Sequence, residues 1–253
     1  MNVIGIIPAR YSSQRLPAKP LADICGVPMV VRVWQNVSNS KLMSKVVVAT
    51  DDERIVAVCE QYNVPVVMTE PSLPSGTDRI YAAYQSLSTA CDVVVNIQGD
   101  EPLLSSSDID ILLNGFCGSN ADVGTLVTKI TDSEEVVDPA NVKVVVDKNM
   151  VAMYFSRSPI PFNRDVAIEE WHKTLTYWKH IGIYAYKVSA LQQFVSLPQS
   201  TYEQCEKLEQ LRLLEQGAKF LCVETNSKLI SVDTAEDLSK VIATIQSIRL
   251  FVS

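Results

Sequence analysis

Over its first half the chain alternates short apolar runs with segments of helical period. "NVIGII" (2–7) is short, β-branched and followed by Pro8, the pattern of a buried strand. "PMVVRVWQNV" (28–37) opens on proline, a favoured first helical residue, and puts Met29, Val33, Trp34 and Val37 on one face. "KVVVAT" (45–50), "VPVVM" (64–68) and "DVVVNIQ" (92–98) read as further strands. "DDERIVAVCEQY" (51–62), "TDRIYAAYQSL" (77–87) and "SSDIDILLNGF" (106–116) read as the helices between them. Acids fill the first turn of the segment 51–62, where they suit the helix dipole, and Asp51 and Asp52 are read as caps. This order predicts an α/β fold with a mostly parallel sheet covered on both faces and right-handed crossovers.

From about residue 123 the texture changes. "DVGTLVTKI" (122–130), "NVKVVVD" (141–147), "MVAMYFSR" (150–157) and "HIGIYAYKV" (180–188) are strand-like, and "DKN" (147–149) makes a hairpin turn between the second and third. The expectation is one domain over 1–253 that carries a mixed or antiparallel insertion at about 123–187, used for dimerisation. "TYEQCEKLEQLRLLEQG" (201–217) reads as one helix closed by Gly217, with Leu208, Leu211 and Leu214 as its buried stripe. "KFLCVE" (219–224) and "LISV" (229–232) read as strands. "DTAEDLSKVIATIQSI" (233–248) is a final helix with Thr234 and Asp237 placed as a capping box.

Composition narrows the ligand. The 253 residues carry a formal charge of −7, with 47% hydrophobic and 20% charged residues, as in an ordinary soluble globular protein. An acid-rich surface argues against nucleic-acid or acidic-membrane partners, so an anionic ligand must be held by a local cluster. Six cysteines stand singly without C-x-x-C, which reads as reduced cytosolic thiols rather than zinc ligands or disulfides. "MNVIGIIPAR" lacks the basic n-region of a signal peptide, and no apolar run reaches the roughly 18 residues of a membrane span.

Such a cluster lies in "IIPARYSSQRLPAKPL" (6–21), where Arg10, Arg15 and Lys19 follow the first strand. Ligands of parallel sheets bind beyond the strands' carboxyl ends, and phosphates favour such loops. Neither G-x-x-x-x-G-K-[ST] nor G-x-G-x-x-G occurs, and Pro8, Pro17 and Pro20 remove amide donors. Charged side chains are therefore the expected grip; a solvated basic loop is the alternative. In "NIQGDEPL" (96–103), Gly99 permits an unusual turn, and Asp100 with Glu101 suits either Mg²⁺ or helix capping. Asp233 is either a second metal ligand or an acid at a helix N-terminus. Arg157 ends a strand. His180, Gly182, Tyr184 and Tyr186 share one strand face, either for a hydroxylated substrate or as a half-exposed surface. Glu206, Glu209 and Gln210 cluster on a second helix face, and His172 is placed on the surface.

"IIPARYSSQRLPAKPL", "SGTDR", "NIQGDEP", "NVKVV", "FSRSPIP", "HIGIYAY", "EKLEQLR" and "VDTAEDL" occur in this order over residues 3–245. Together they closely resemble the 3-deoxy-D-manno-octulosonate (Kdo) cytidylyltransferase family. The resemblance implies a nucleotidyltransferase-type, Rossmann-like fold and a cytoplasmic homodimer. It also implies a reaction in which CTP and Kdo give CMP-Kdo and diphosphate with Mg²⁺, for lipopolysaccharide biosynthesis. Carried over by motif, Arg10, Lys19 and Asp100 are catalytic. Pro8, Ala9, Arg10, Arg15, Lys19, Ser75, Gly76, Arg79, Gln98 and Asp100 bind nucleotide. Gln98, Arg157, His180, Tyr184, Glu209 and Gln210 meet the sugar acid, and Asp100 and Asp233 hold metal. Departures from the family pattern fall at Gln14, Asp78, Lys179 and Ala185. They leave open a related acid, such as a sialic acid or 8-amino-Kdo, as substrate. A nucleotide-binding protein without turnover is the alternative from another class.

Overall fold

The computed structural model describes residues 1–12 and 15–252, with side chains described through residue 248. The chain divides into two compact units, residues 1–110 with 228–253, and residues 111–227. Gln14 lies outside the described residues.

The first unit begins with Val3–Ala9 (β1), followed by a small hairpin of Asp23–Ile24 (β2) and Val27–Pro28 (β3) and by the helix Met29–Val37 (α1). Pro28 ends β3 and is the N-cap residue of α1 rather than its first residue. Then come Lys45–Thr50 (β4), Glu53–Gln61 (α2), Val66–Met68 (β5), Gly76–Ser86 (α3), Val93–Asn96 (β6) and the start of Ser106–Phe116 (α4). β1 pairs in parallel with β4 on one side and β6 on the other, and β4 pairs in parallel with β5. The valine and isoleucine runs of β1, β4 and β6 are buried almost throughout, as strands covered on both faces require, while β5 is half-buried to exposed. Because the chain moves outward from β1 to β5 and then returns to the other side of β1, strand order reverses between β1 and β6. The loops after those two strands, 10–22 and 97–104, flank the crevice where α/β sheets take ligands.

The second unit is built on Val123–Lys129 (β7), Ser133–Val137 (α5), Lys143–Val146 (β8), Ala152–Ser156 (β9), Trp171–Thr174 (α6), Trp178–Lys187 (β10), Val188–Ser196 (α7), Thr201–Glu206 (α8), Leu211–Leu214 (α9) and Phe220–Glu224 (β11). β7 with β10, β10 with β8 and β8 with β9 pair antiparallel, while β11 joins β7 in parallel. The expected helix over 201–217 is broken. Lys207 adopts a left-handed conformation (φ 54°) after α8, and buried Leu208 and Leu213, rather than Leu214, anchor the turn and α9. Gly217 does end the segment with positive φ. α7 covers a stretch to which the apolar pattern assigns no element.

The chain then returns to the first unit for Ala235–Val252 (α10). "LISV" before it is not a strand. Val232 packs instead with Ile24, Met29 and Val241, and around them sit Leu16, Leu103, Ile230 and Leu238. Thr234 and Asp237 form the expected reciprocal cap of α10, backbone N–H to side-chain oxygen in both directions.

Candidate functional site

One apolar cluster brings three distant parts of the chain together. Leu16 lies within the cationic loop and Ile24 just after it, Leu103 follows Asp100, and Val232 precedes Asp233. The Val232 N–H donates to the Asp100 carbonyl at 2.9 Å, which ties the second and third segments directly. Packing of ordinary apolar residues thus fixes where the charged ones meet.

They meet at Lys19. Its ammonium donates to Asp100 Oδ2 at 2.5 Å and to Asp233 Oδ1 at 3.1 Å, and Arg15 reaches the same Asp233 oxygen at 3.0 Å. Lys19 is largely buried. Burial acts to lower its pKa, but the two carboxylates outweigh it and the pKa lies above the usual lysine value. Ala18, just before Lys19, has φ 54°, a left-handed backbone that costs a non-glycine residue of order 1 kcal/mol and aims the lysine at the carboxylates. Glu101 does not join this group; it is buried and accepts a hydrogen bond from Ser231.

Pro8 and Ala9 end β1 beside this group. Gly99 is required there for a reason other than turn geometry. Its φ is not positive, but a Cβ at this position would stand 3.0 Å from the Pro8 carbonyl oxygen, so glycine lets the two loops approach. Gln98 leans back on its own strand, donating to Asn96 at 3.2 Å. Arg10 is exposed and donates to the Leu73 carbonyl at 2.5 Å, which ties the loop after β1 to the segment that leads into α3. Ser75 caps α3, with its hydroxyl accepting from the Asp78 N–H at 3.1 Å, and Gly76 is the first helical residue, close to Pro8. Arg79 is fully buried. Its guanidinium donates to Thr69 at 2.5 Å and to Asp51 at 2.9 Å, so it faces into the fold. This corrects the reading of Asp51 as a cap. Asp52 alone caps α2, accepting from the Arg54 N–H at 2.9 Å.

The sugar-acid candidates other than Gln98 all belong to the second unit. On β10, His180 and Tyr184 are buried, not half-exposed, with rings 5.4 Å apart. The ladder pairs Ile181 with Leu126 but Tyr184 with Thr125, so Gly182 and Ile183 are extra residues. Two extra residues restore the alternation in phase, and His180 and Tyr184 stay on one side. Thr125 fills the irregularity. Its hydroxyl donates best to the Ile183 carbonyl at 2.7 Å, and His180 Nε2 at 2.9 Å then donates to that hydroxyl oxygen. His180 is therefore a neutral ring with Nδ1 as its acceptor, and burial pulls its pKa down to about 3. Burial, Tyr186 and Glu209 push the Tyr184 phenol well above its usual value, which also places Glu209 near that ring. Gln210 is 2% exposed, and its side-chain nitrogen has no hydrogen-bond partner among the described residues. Arg157 is held by the Glu206 and Pro139 carbonyls at 2.8 and 3.0 Å. His172, expected on the surface, is half-buried in α6, and its Nδ1 is buried with no hydrogen-bond partner among the described residues.

Comparison with known proteins decides the family. A family model described as cytidylyltransferase matches residues 4–221. The 3-deoxy-manno-octulosonate cytidylyltransferase of Parabacteroides distasonis is 44% identical over 247 residues, 96% of this chain and 98% of the relative. That of Chlorobium chlorochromatii is 47% identical over 244 residues, covering 95% and 96%. The chain belongs to the 3-deoxy-manno-octulosonate cytidylyltransferase family. A solved structure of CMP:2-keto-3-deoxy-manno-octonic acid synthetase complexed with CTP matches with a TM-score of 0.90 and 38% identity, over 98% of this chain and 99% of that one.

Within this family's pattern the departures have local explanations. Asp78 receives the Ser75 hydroxyl at 2.5 Å and serves the cap of α3. Lys179 pairs with Glu135 at 3.3 Å, and Ala185 is fully buried in β10. Sequence reasoning missed Thr125 and Lys143 and gave Glu206 only a place on a charged helix face. Thr125 signals itself only through its partners, but "NVKVV" puts a lysine inside an apolar strand, which is a signal in itself.

Proposed function

We propose that this chain transfers the cytidylyl group of CTP to the anomeric hydroxyl of Kdo, giving CMP-Kdo and diphosphate. The observation that carries this reading is the meeting of Lys19, Arg15, Asp100 and Asp233 at the switch point between β1 and β6. The hydroxyl oxygen forms the new bond to the α-phosphorus and gives its proton up to solvent, as the bond from the α-phosphorus to the bridging oxygen breaks and diphosphate leaves with that oxygen. Such a transfer rests on positioning and on stabilising charge. Arg10, Arg15 and Lys19 neutralise phosphate oxygens. Pro8, Ala9 and the start of α3 at Ser75 and Gly76 receive the nucleoside end, and buried Arg79 stiffens that helix start through Asp51.

Asp100 and Asp233 suit Mg²⁺. Both place a carboxylate oxygen within hydrogen-bond reach of one cationic atom, and among the described residues no cluster of three or more metal-ligating side chains exists. Two carboxylates completed by substrate phosphates are the usual donor set for that ion. When bound it would draw negative charge from the phosphate and lower the pKa of an attached hydroxyl. Kdo recognition falls to Gln98, Arg157, His180, Tyr184, Glu209 and Gln210. The buried, unpartnered amide of Gln210 supports this, since such a donor is costly without a ligand. The neutral His180 offers an acceptor to a sugar hydroxyl, and Arg157 offers a fork to the carboxylate. A cytoplasmic location and a role in lipopolysaccharide assembly go with this activity; no described helix is long and apolar enough to cross a membrane.

The test is diphosphate release from CTP, Mg²⁺ and Kdo. Release with a sialic acid or 8-amino-Kdo but not with Kdo would overturn the substrate assignment, and CTP binding without turnover on any acid would overturn the reaction. Asp100→Asn should fold normally and lose about 100-fold or more in kcat. Near-normal turnover across a magnesium titration would remove Asp100 from the site.

A further inference from the structure

Lys143 on β8 is fully buried and has no part in the chemistry above. Its ammonium donates to three backbone carbonyls, Asp138 at 2.9 Å, Asn141 at 2.6 Å and Arg157 at 2.6 Å. Three N–H groups meet three backbone acceptors, so every donor of the ammonium has a partner. Two of those carbonyls lie in the turn before β8, and the third belongs to Arg157, just after β9. The same turn supplies the Pro139 carbonyl that receives one terminal nitrogen of Arg157 at 3.0 Å. From the other side, Glu206 accepts the Arg157 N–H at 2.9 Å and the Ser156 hydroxyl at 2.6 Å with its carboxylate, and Arg157 Nε at 2.8 Å with its carbonyl. The remaining terminal nitrogen of Arg157 has no partner among the described residues. The fork is therefore clamped on two edges and presents its third.

We propose that Lys143 and Glu206 are positioning residues for sugar-acid binding, forming a mount that aims the free edge of Arg157 at the substrate carboxylate. Lys143 locks the turn that carries Pro139 against the Arg157 backbone, and Glu206 holds the backbone and Nε. Neither touches the substrate. A bidentate carboxylate contact is strongly directional, so a loosened mount weakens acid binding before it affects anything done to the nucleotide. The inference rests on the reading that Arg157 meets the acid.

The experiment measures KM for Kdo, KM for CTP and kcat for Lys143→Met, Glu206→Gln and Arg157→Ala. Thermal melting and CTP binding check the fold of each variant. Lys143→Met and Glu206→Gln should each raise KM for Kdo about tenfold or more while KM for CTP and kcat stay within about twofold. A purely structural role would lower the melting temperature and leave that split absent. If Arg157→Ala raises KM for Kdo but Lys143→Met and Glu206→Gln do not, the mount is overturned and the acid-binding reading survives. If Arg157→Ala leaves KM for Kdo unchanged, that reading fails, and the mount fails with it. Should Lys143→Met not fold, Glu206→Gln decides by the same split.

Discussion

At the scale of the residue, the polar groups of the second unit are defined by burial. Among the described residues, the His180 ring bonds Thr125 and meets the Phe155 and Tyr184 rings, and burial is what moves its pKa. Its pKa of about 3 in the fold compares with the ordinary 6.5. Between those values the unfolded chain binds the proton and the native chain does not. Stability from this residue is therefore complete above pH 6.5 and is lost as pH falls toward 3. Unfolding free energies from urea titrations between pH 7 and pH 4 should fall in the wild type with an added slope of up to about 1.4 kcal/mol per pH unit. In His180→Gln, whose amide can still donate to Thr125, this component should vanish. An identical acid limb in both proteins would mean that His180 takes a proton in the native fold. The sequence makes the histidine visible as one of a polar set, but not its burial. An alternating strand looks the same whether its polar face meets water or a packed aromatic.

Elements place these residues, and one ion pair joins three of them. Arg79 of α3 reaches Thr69 just beyond β5 and Asp51 at the end of β4. Burial opposes the Arg79 charge, and Asp51 is the principal group that offsets it. Asp51→Asn keeps the shape and leaves that cation unpaired. It should cost about 3 kcal/mol, the lower part of the range for breaking a buried pair, because Asp51 is still partly exposed. Adding Arg79→Met to the Asp51→Asn protein should recover part of the loss, and equal urea midpoints for wild type and Asp51→Asn would remove the pair from the stability of α3. "SGTDR" and "TDDERI" show both partners, yet two adjacent aspartates before a helix look alike as caps. Only the position of α3 separates Asp51 from Asp52. The same limit explains the other differences. "LISV" is apolar like a strand, but its valine fills the cluster under α10, and a short apolar run does not reveal which it will do. The left-handed Lys207 that divides α8 from α9 has no glycine or asparagine to announce it.

At the scale of the molecule, the parallel strands around β1 follow from the alternation of strand and helix, and so do loops at their carboxyl ends as the place for a site; the strand order that puts the reversal beside β6 is a finding of the structure. The second unit is less legible, because antiparallel strands of similar composition do not state their partners. Its β9 pairs along its length with β8, while Val151 just before it bridges Leu221 of β11, and Met153 at its centre is 64% exposed. Tyr202 stands beside this strand, half exposed and edge-on to Tyr154 at 6.2 Å. An apolar residue on an open strand edge favours association unless something covers it. We read this edge as the contact of the expected homodimer. Sedimentation equilibrium at micromolar concentration should give twice the mass of 28.0 kDa for the wild type. Met153→Asp puts a charge on that edge without touching the Lys19, Asp100 and Asp233 group, and should shift the protein to the monomer with its fold intact. A wild type that sediments as a monomer would overturn the dimer, and a Met153→Asp protein that remains dimeric would move its contact to another face.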